Sequence, residues 1–305
     1  MRIVVTGGTG FIGRPLCQKL LELRHTVTVL TRNPDAARSR LDPRIAAIGW
    51  QGSRGATDEM MTALSSAEIV INLAGAPIAE GRWTEQTKDR LRRSREGTTS
   101  ALVAALAKLQ ARPVLLISAS AIGYYGPRQD DLLREDAPSG IGFLASLCRE
   151  WEAAARAAER LGVQVVVPRI GVVLGRNGGA LARMLPAFRL GLGGPLGSGT
   201  QWLSWIHLDD LIELLLFLFH EAASGPVNAT APQPVTNEEF SRVLGQTLRR
   251  PAWLRTPSFA LKFLLGQMAE ELLLTGQRVV PARAEAMGFR FRYPTLSEAL
   301  HAILH

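Results

Sequence analysis

The segment TGGTGFIG, Thr6 to Gly13, most restricts what this chain can fold into. It follows the apolar, β-branched run RIVV and precedes Ile12, Leu16, Leu20 and Leu23 at helical spacing; TVTVL, Thr26–Leu30, then reads as a second strand. Strand, glycine turn, helix and strand within about 30 residues make one βαβ unit. Gly7 allows a tight turn. Gly10 lets backbone approach a pyrophosphate held on the helix N-terminus, where N–H groups lack partners. Gly13 lets helix and strand pack closely. Gly7, Thr9, Gly10, Phe11, Ile12 and Gly13 are therefore expected to form a phosphate loop.

The second strand ends in LTRNP. Sites for NAD usually carry an Asp or Glu here to accept from the ribose 2′-hydroxyl. This chain has Thr31, Arg32 and Asn33. A guanidinium presents a planar fork of donors suited to a 2′-phosphate, so Thr31 and Arg32 predict NADP (NADPH) as the cofactor.

Further strands are expected at Ile69–Leu73, Val114–Ser118 and Val163–Val167, alternating with helical patterns such as Thr98–Leu109 and Cys148–Leu161. This alternation predicts an α/β fold, a doubly wound parallel sheet of the Rossmann kind with helices on both faces. Ligands in such sheets bind at the carboxyl ends of strands, where TGGTG, TRNP, NLAG, SASAIGYYG and PRIGVV all fall. Leu73, Ala74, Gly75, Arg82 and Ser118 are assigned to the cofactor on this basis, as are Arg169, Ile170, Gly171 and Val172.

The formal charge is +8, almost all from Arg, since Lys occurs only at 19, 88, 108 and 262. The cluster Arg90–Arg95 is interleaved with acids and reads as a solvated helix face. No aromatic-basic pattern accompanies it, so nucleic acid is not an expected partner. The run Leu211–Phe219 is too short to span a bilayer, and the N-terminus enters a strand directly, so a cytoplasmic protein without a membrane partner is expected. Cys17 and Cys148 read as free thiols. No metal is expected. The substrate is a small molecule whose identity stays open, and so does the choice between monomer and homodimer.

TGGTGFIG, NLAG followed by GRW, SASAIGYYG, FLASLCREWEAAA, GVVLGRNGGAL, FRLGLGGPLGSGTQWLSWIHLDDL and GFRFRYPTLSEAL together resemble the extended short-chain dehydrogenase/reductases. More narrowly, they resemble the NAD-dependent epimerase/dehydratase family and its "epimerase family protein" subgroup, with a C-terminal domain of unknown function. The resemblance implies a nucleotide domain of residues 1–171 plus about 205–231. It also implies a smaller C-terminal α/β lobe of about 172–204 plus 232–305 covering the substrate. It implies a Ser, Tyr and Lys acting together: Tyr as acid/base, Lys lowering its pKa, Ser positioning substrate oxygen. Ser120 stands at the Ser position. With Glu152 taken as the helix-anchoring acid, Leu144 stands at the Tyr position and Cys148 at the Lys position. No Tyr in the chain is followed four residues later by Lys, so the ordinary pair is missing. Tyr124 or Tyr125 is the expected replacement acid, with Arg169 tuning it, and Leu144, Cys148, Met184 and Trp202 are expected to line the substrate pocket. Two functions follow: an NADP-binding oxidoreductase transferring hydride to or from a small molecule, or a silent NADP-binding regulator or scaffold, for example in cell division. A true nucleotide-sugar epimerase is the less favoured third.

Overall fold

Strands of the first half alternate with helices and all run the same way. The computed structural model describes residues 1–52, 55–221 and 223–305. The strands are β1 (Arg2–Thr6), β2 (Thr26–Thr31), β3 (Ala46–Gly49), β4 (Ile69–Asn72), β5 (Leu115–Ser118), β6 (Ser120–Ala121), β7 (Leu132–Leu133) and β8 (Gln164–Ile170). They continue with β9 (Val172–Leu174), β10 (Trp202–Leu203), β11 (Trp205–His207), β12 (Gly225–Ala229), β13 (Val235–Thr236) and β14 (Arg278–Val279). The main sheet has the order β12-β8-β5-β4-β1-β2-β3, with β6 also on β8. Every pairing in it is parallel. Parallel strands need crossover helices, which cover both faces. The sheet is accordingly buried on both sides. Ile3 and Val5 join one core with Leu16, Leu20, Leu211 and Leu215. Val4, on the opposite face, joins Met60, Leu64, Leu102 and Leu106. The expected Rossmann-type sheet is therefore present.

After β8 the chain leaves the sheet. Gly171 makes this possible, since a Cβ there would lie 2.7 Å from the Ser204 carbonyl oxygen. A second core gathers Leu181, Leu185 and Phe188 from the helix Gly179–Arg189 and Phe240 and Leu244 from the helix Asn237–Leu248. Leu300 and Ile303 come from the last helix, Leu296–Leu304, whose first turn is closed by a capping box of Thr295 and Glu298. Not all of the tail joins this lobe: Ala284 and Phe289 pack into the core of the main sheet. The amphipathic tail segment forms the helix Ser258–Leu265 and a π-helical turn, Ala269–Leu273, separated by Gly266 at φ +60°. Phe259, Phe263 and Leu264 of that helix are exposed. Among the described residues, no helix is long and apolar enough to cross a membrane.

The two cores are tied together at the helix Leu208–Phe217. His207 caps it, with Nδ1 accepting from the Asp209 N–H at 3.1 Å. Asp210, buried in its first turn, accepts from the Arg292 and Tyr293 N–H groups at 2.8 and 3.0 Å and so fixes the entry to the last helix. Removing the carboxylate strands two donors, so Asp210→Ala is expected to lower stability by about 2 kcal/mol in urea denaturation. Asp210→Asn, which keeps one acceptor, should lose less.

Candidate functional site

The glycine loop has the shape of a phosphate cradle. Gly7 sits at φ +71°, and a Cβ there would lie 2.5 Å from the Leu73 carbonyl oxygen. A Cβ on Gly13 would lie 2.2 Å from the Gly7 carbonyl oxygen. The helix Gly13–Glu22 has no side-chain cap. The Arg14 and Leu16 N–H groups bond back to the Gly10 and Ile12 carbonyls, while the N–H groups of Phe11, Ile12 and Gly13 have no partner among the described residues and are open to an anion. The Phe11 side chain does not take part. Its ring lies against Gly175, Gly178 and Gly179 of the second lobe, within 3.0 Å of where their Cβ atoms would be, and staples the lobe to the loop. At the end of β2, Arg32 is exposed and makes no hydrogen bond or ion pair among the described residues. Asn33 beside it is engaged as the cap of the next helix. The residues present therefore fit a dinucleotide with an extra phosphate on the adenosine ribose.

Behind the cradle lies a buried polar chain. Thr6 Oγ1 donates to Asn72 Oδ1 at 2.6 Å and accepts from the Ala74 N–H at 3.2 Å. Asn72 Nδ2 donates to Thr99 and Ser118, and the Trp151 indole donates to Thr99. These bonds set the NLAG turn, in which Leu73 and Ala74 are half-buried, Leu73 against the core of the main sheet, and Gly75 is exposed. Ser118 was expected to meet the cofactor; it is fully buried and holds Asn72 instead.

A second network occupies the ends of β5, β6 and β8. Ser120 Oγ donates to Glu152 Oε1 at 2.7 Å. Arg169 pairs with Glu152 through Nε and Nη2, both at 2.9 Å, and its Nη1 donates to the Tyr125 hydroxyl and the Glu135 carbonyl. Tyr125 in turn donates to Asn228 Oδ1 on β12 at 2.7 Å. Arg169 was assigned to the cofactor and to tuning a tyrosine, but its donors are spent inside the protein. Burial pushes the Tyr125 phenol up to about 12, against the opposing pull of Arg169. Tyr125, fully buried, is therefore a structural residue and not the accessible acid. Tyr124 differs. Its ring lies under the Arg169 guanidinium, 3.5 Å from the centroid, and its hydroxyl makes no hydrogen bond among the described residues. Ile170, Gly171 and Val172 carry the crossing into the second lobe through the bonds from Gly171 N–H to the Ala229 carbonyl and from Val172 N–H to the Ser204 carbonyl.

Leu144 and Cys148 do face the SASAIGYYG turn: a Cβ on Gly123 would lie 3.2 Å from Leu144 Cβ and 3.8 Å from Cys148 Sγ. Burial pushes the Cys148 thiol up to about 11, aided by the Glu152 charge. Leu144 packs in an apolar cluster with Ile78, Trp83, Phe143, Leu265 and Met268. The helix Phe143–Arg156 has no cap of its own. Glu271, from the π-helical turn Ala269–Leu273, accepts from the Phe143 and Leu144 N–H groups at 3.2 and 3.0 Å. Met184 and Trp202 are not brought to this place. Met184 packs with the core of the second lobe, and Trp202 donates to Asp130 while lying under Arg278. Arg82, assigned to a phosphate, donates instead to the Phe263 carbonyl at 2.7 Å. Among the described residues, no cluster of potential metal ligands is present.

Residues 3–230 match the model of the NAD dependent epimerase/dehydratase family, and residues 256–303 match a domain of unknown function, DUF1731. The chain belongs to the NAD dependent epimerase/dehydratase family. An Arabidopsis thaliana relative, "epimerase family protein SDR39U1 homolog, chloroplastic", is 44% identical over 308 residues, covering 100% of this chain and 87% of that protein. The crystal structure of human epimerase family protein SDR39U1 (isoform2) with NADPH is similar with TM-score 0.87 and 36% identity, over 99% of each chain. UDP-glucuronic acid 4-epimerase from Bacillus cereus in complex with UDP-glucuronic acid and NAD has TM-score 0.80 at 18% identity, covering 99% of this chain and 98% of that one, a likeness of fold alone.

Within this epimerase/dehydratase-family chain, two structural features at the site escaped the sequence reading. Glu271 caps a helix about 130 residues earlier in the chain, and nothing local to either segment signals the pairing. Arg95, read as part of a solvated face, is turned inward. Its Nη2 donates to the Ala76 carbonyl at 2.9 Å, and its guanidinium lies 5.3 Å from the Trp151 ring centroid.

Breaking a buried pair from one side leaves an uncompensated charge. Glu152→Gln should therefore lower stability by about 3–5 kcal/mol in urea, and more than any exposed Glu→Gln change. Both thiols are predicted to be inert: burial pushes Cys17 up to about 12, and Cys148 is also held protonated at neutral pH. Ellman's reagent at pH 8 should label neither thiol in the native protein and both in urea.

Proposed function

We propose that this chain is an NADP-dependent oxidoreductase that transfers hydride to or from a small molecule without a Tyr–Lys pair. The observation that carries this reading is the open cradle at Gly7–Gly13 with an unpaired Arg32 at the end of β2 and no acid beside it. The crystallised human relative with NADPH supports the choice of cofactor. The loop would hold the pyrophosphate on the N–H groups of Phe11, Ile12 and Gly13 at the start of the helix Gly13–Glu22. Arg32 and Thr31 would take the 2′-phosphate through charge-assisted bonds. When bound, the nicotinamide supplies or accepts a hydride.

The chain's own residues restrict proton transfer. Leu144 offers no donor where the family has a phenol, and Cys148 offers no cation. Ser120 and Tyr125 already donate internally. Tyr124 has the one phenol near this turn without an internal bond among the described residues. It is the group to which we assign proton delivery. A positioned acid contributes about 10²–10⁴-fold, so a substrate needing little proton help, such as a polarised double bond, suits this site better than a sugar hydroxyl.

The saturation of Ser120, Arg169 and Tyr125 favours a second reading, a protein that binds NADP without turnover. The readings separate in one experiment. NADPH should bind at least tenfold tighter than NADH, about 1.4 kcal/mol, and Arg32→Ala should abolish the preference, as read by tryptophan quenching. Equal affinities sink the cofactor assignment. A panel of enones, aldehydes and ketones with NADPH then tests turnover. Activity lost in Tyr124→Phe supports the oxidoreductase, and binding without any turnover supports the silent protein.

A further inference from the structure

The cluster Arg90–Arg95 is divided by a change of helix type. Glu85–Arg92 is α-helical, and Arg93–Gly97 is a single π-helical turn before the helix Thr98–Ala107. Such one-turn bulges rotate the side chains that follow and recur at functional sites. Here Arg90 pairs with Glu80, and Arg92 with Asp89. Arg92 and Arg95 both lie against the helix Phe143–Arg156, Arg92 over the Phe143 ring and Arg95, on the bulge, over the Trp151 ring. The Arg95 Cζ and Nη2 lie 3.3 and 3.4 Å from where a Cβ on Gly75 would be. Besides the Ala76 carbonyl it has only a long contact to Ser94 Oγ, at 3.4 Å, and no carboxylate lies within salt-bridge distance among the described residues. A half-buried guanidinium with one carbonyl partner has several donors to spare. Burial opposes its charge, so a buried anion is the partner that would offset the cost.

Its position says which anion. The Leu73–Ala74 backbone packs directly on Gly7 of the phosphate cradle, and Gly75 follows. Trp151, under the guanidinium, lies one turn after Cys148 on the helix that faces Ser120 and Gly123. Arg95 thus stands between the cradle and the Cys148 end of the site, away from Arg32 at the end of β2.

We propose that Arg95 is a cofactor-positioning residue that binds the nicotinamide-mononucleotide half of NADP, through its phosphate and ribose oxygens. It supplies from the neighbouring helix the cation missing at Cys148. This assignment rests on the NADP reading above. Its tests are therefore built around two ligands: NADPH, and adenosine 2′,5′-bisphosphate, which carries the 2′-phosphate and lacks the mononucleotide half. Affinities are read by tryptophan quenching and by competition.

Arg95→Met should weaken NADPH at least tenfold and leave adenosine 2′,5′-bisphosphate within twofold, while Arg95→Lys should recover part of the loss. Arg32→Ala should weaken both ligands. Unchanged NADPH affinity in Arg95→Met overturns the assignment, as does an equal loss for both ligands, which would mark Arg95 as a support of the fold or of the adenosine side. A melting temperature of apo Arg95→Lys close to that of the unmodified chain, with weakened NADPH alone, supports it even if Arg95→Met folds poorly. If Arg32→Ala spares both ligands while Arg95→Met selectively loses NADPH, the 2′-phosphate reading fails and the Arg95 assignment stands. No NADPH binding by the unmodified chain defeats both.

Discussion

The ion pair of Glu152 and Arg169 joins more of this site than any other contact. Both groups are buried, with side chains 8% and 3% exposed. Two charges taken from water cost several kcal/mol each unless their remaining lone pairs and protons are satisfied. Ser120, Tyr125 and the Glu135 carbonyl supply those bonds. Burial pulls against the Arg169 charge, and the bonds and charge of Glu152 outweigh it, so the guanidinium stays ionised. The pair therefore fixes β6, β8, the turn after Ser120 and the helix Phe143–Arg156 against one another. Tyr125 extends the reach to β12 through Asn228.

The same pair holds the frame of the site without help from Leu144 or Cys148. Glu152 anchors the helix through Arg169, and neither Leu144 nor Cys148 is needed for that bond. The helix is thus held in place independently of the side chains at 144 and 148. Leu144 is part of an apolar cluster closed by Leu265 and Met268 from the C-terminal segment. Glu271 caps the helix start from the same segment. The C-terminal segment is in this way bonded to the helix that carries the altered positions. The protein surroundings make Leu144 a packing residue and Cys148 a protonated thiol, whereas among the described residues the Tyr124 hydroxyl has no hydrogen bond and Arg95 has no carboxylate partner.

Much of the frame was legible because it depends on short-range rules. Period-two and near-continuous apolar runs placed β1, β2, β4, β5 and β8, and glycines at Gly7 and Gly13 marked places where a side chain would strike backbone. The assignments that failed share another property. Ser118, Arg169 and Tyr125 lie at strand ends, where a ligand contact and an internal hydrogen bond read alike in sequence. Arg82 and Trp202 are long side chains whose partners, Phe263 and Asp130, come from distant segments.

The sequence by itself determined the βαβ entry, the parallel sheet, the phosphate cradle, the missing acid at the end of β2 and the absence of a Tyr–Lys pair, because each follows from residue identity and spacing along a few turns of chain. Tertiary structure decided which polar groups remain free. Four of the donors of Arg169 are used by Glu152, Tyr125 and Glu135, and Arg95 has no acid partner among the described residues, although both are arginines near motifs of equal clarity. That difference depends on burial and on which segments meet across the fold: Arg95 reaches the Ala76 carbonyl and the Trp151 ring from a π-helical turn of five residues. Hydrogen-bond capacity is shared out only when the segments pack, so the free donors of a site are a property of the folded chain.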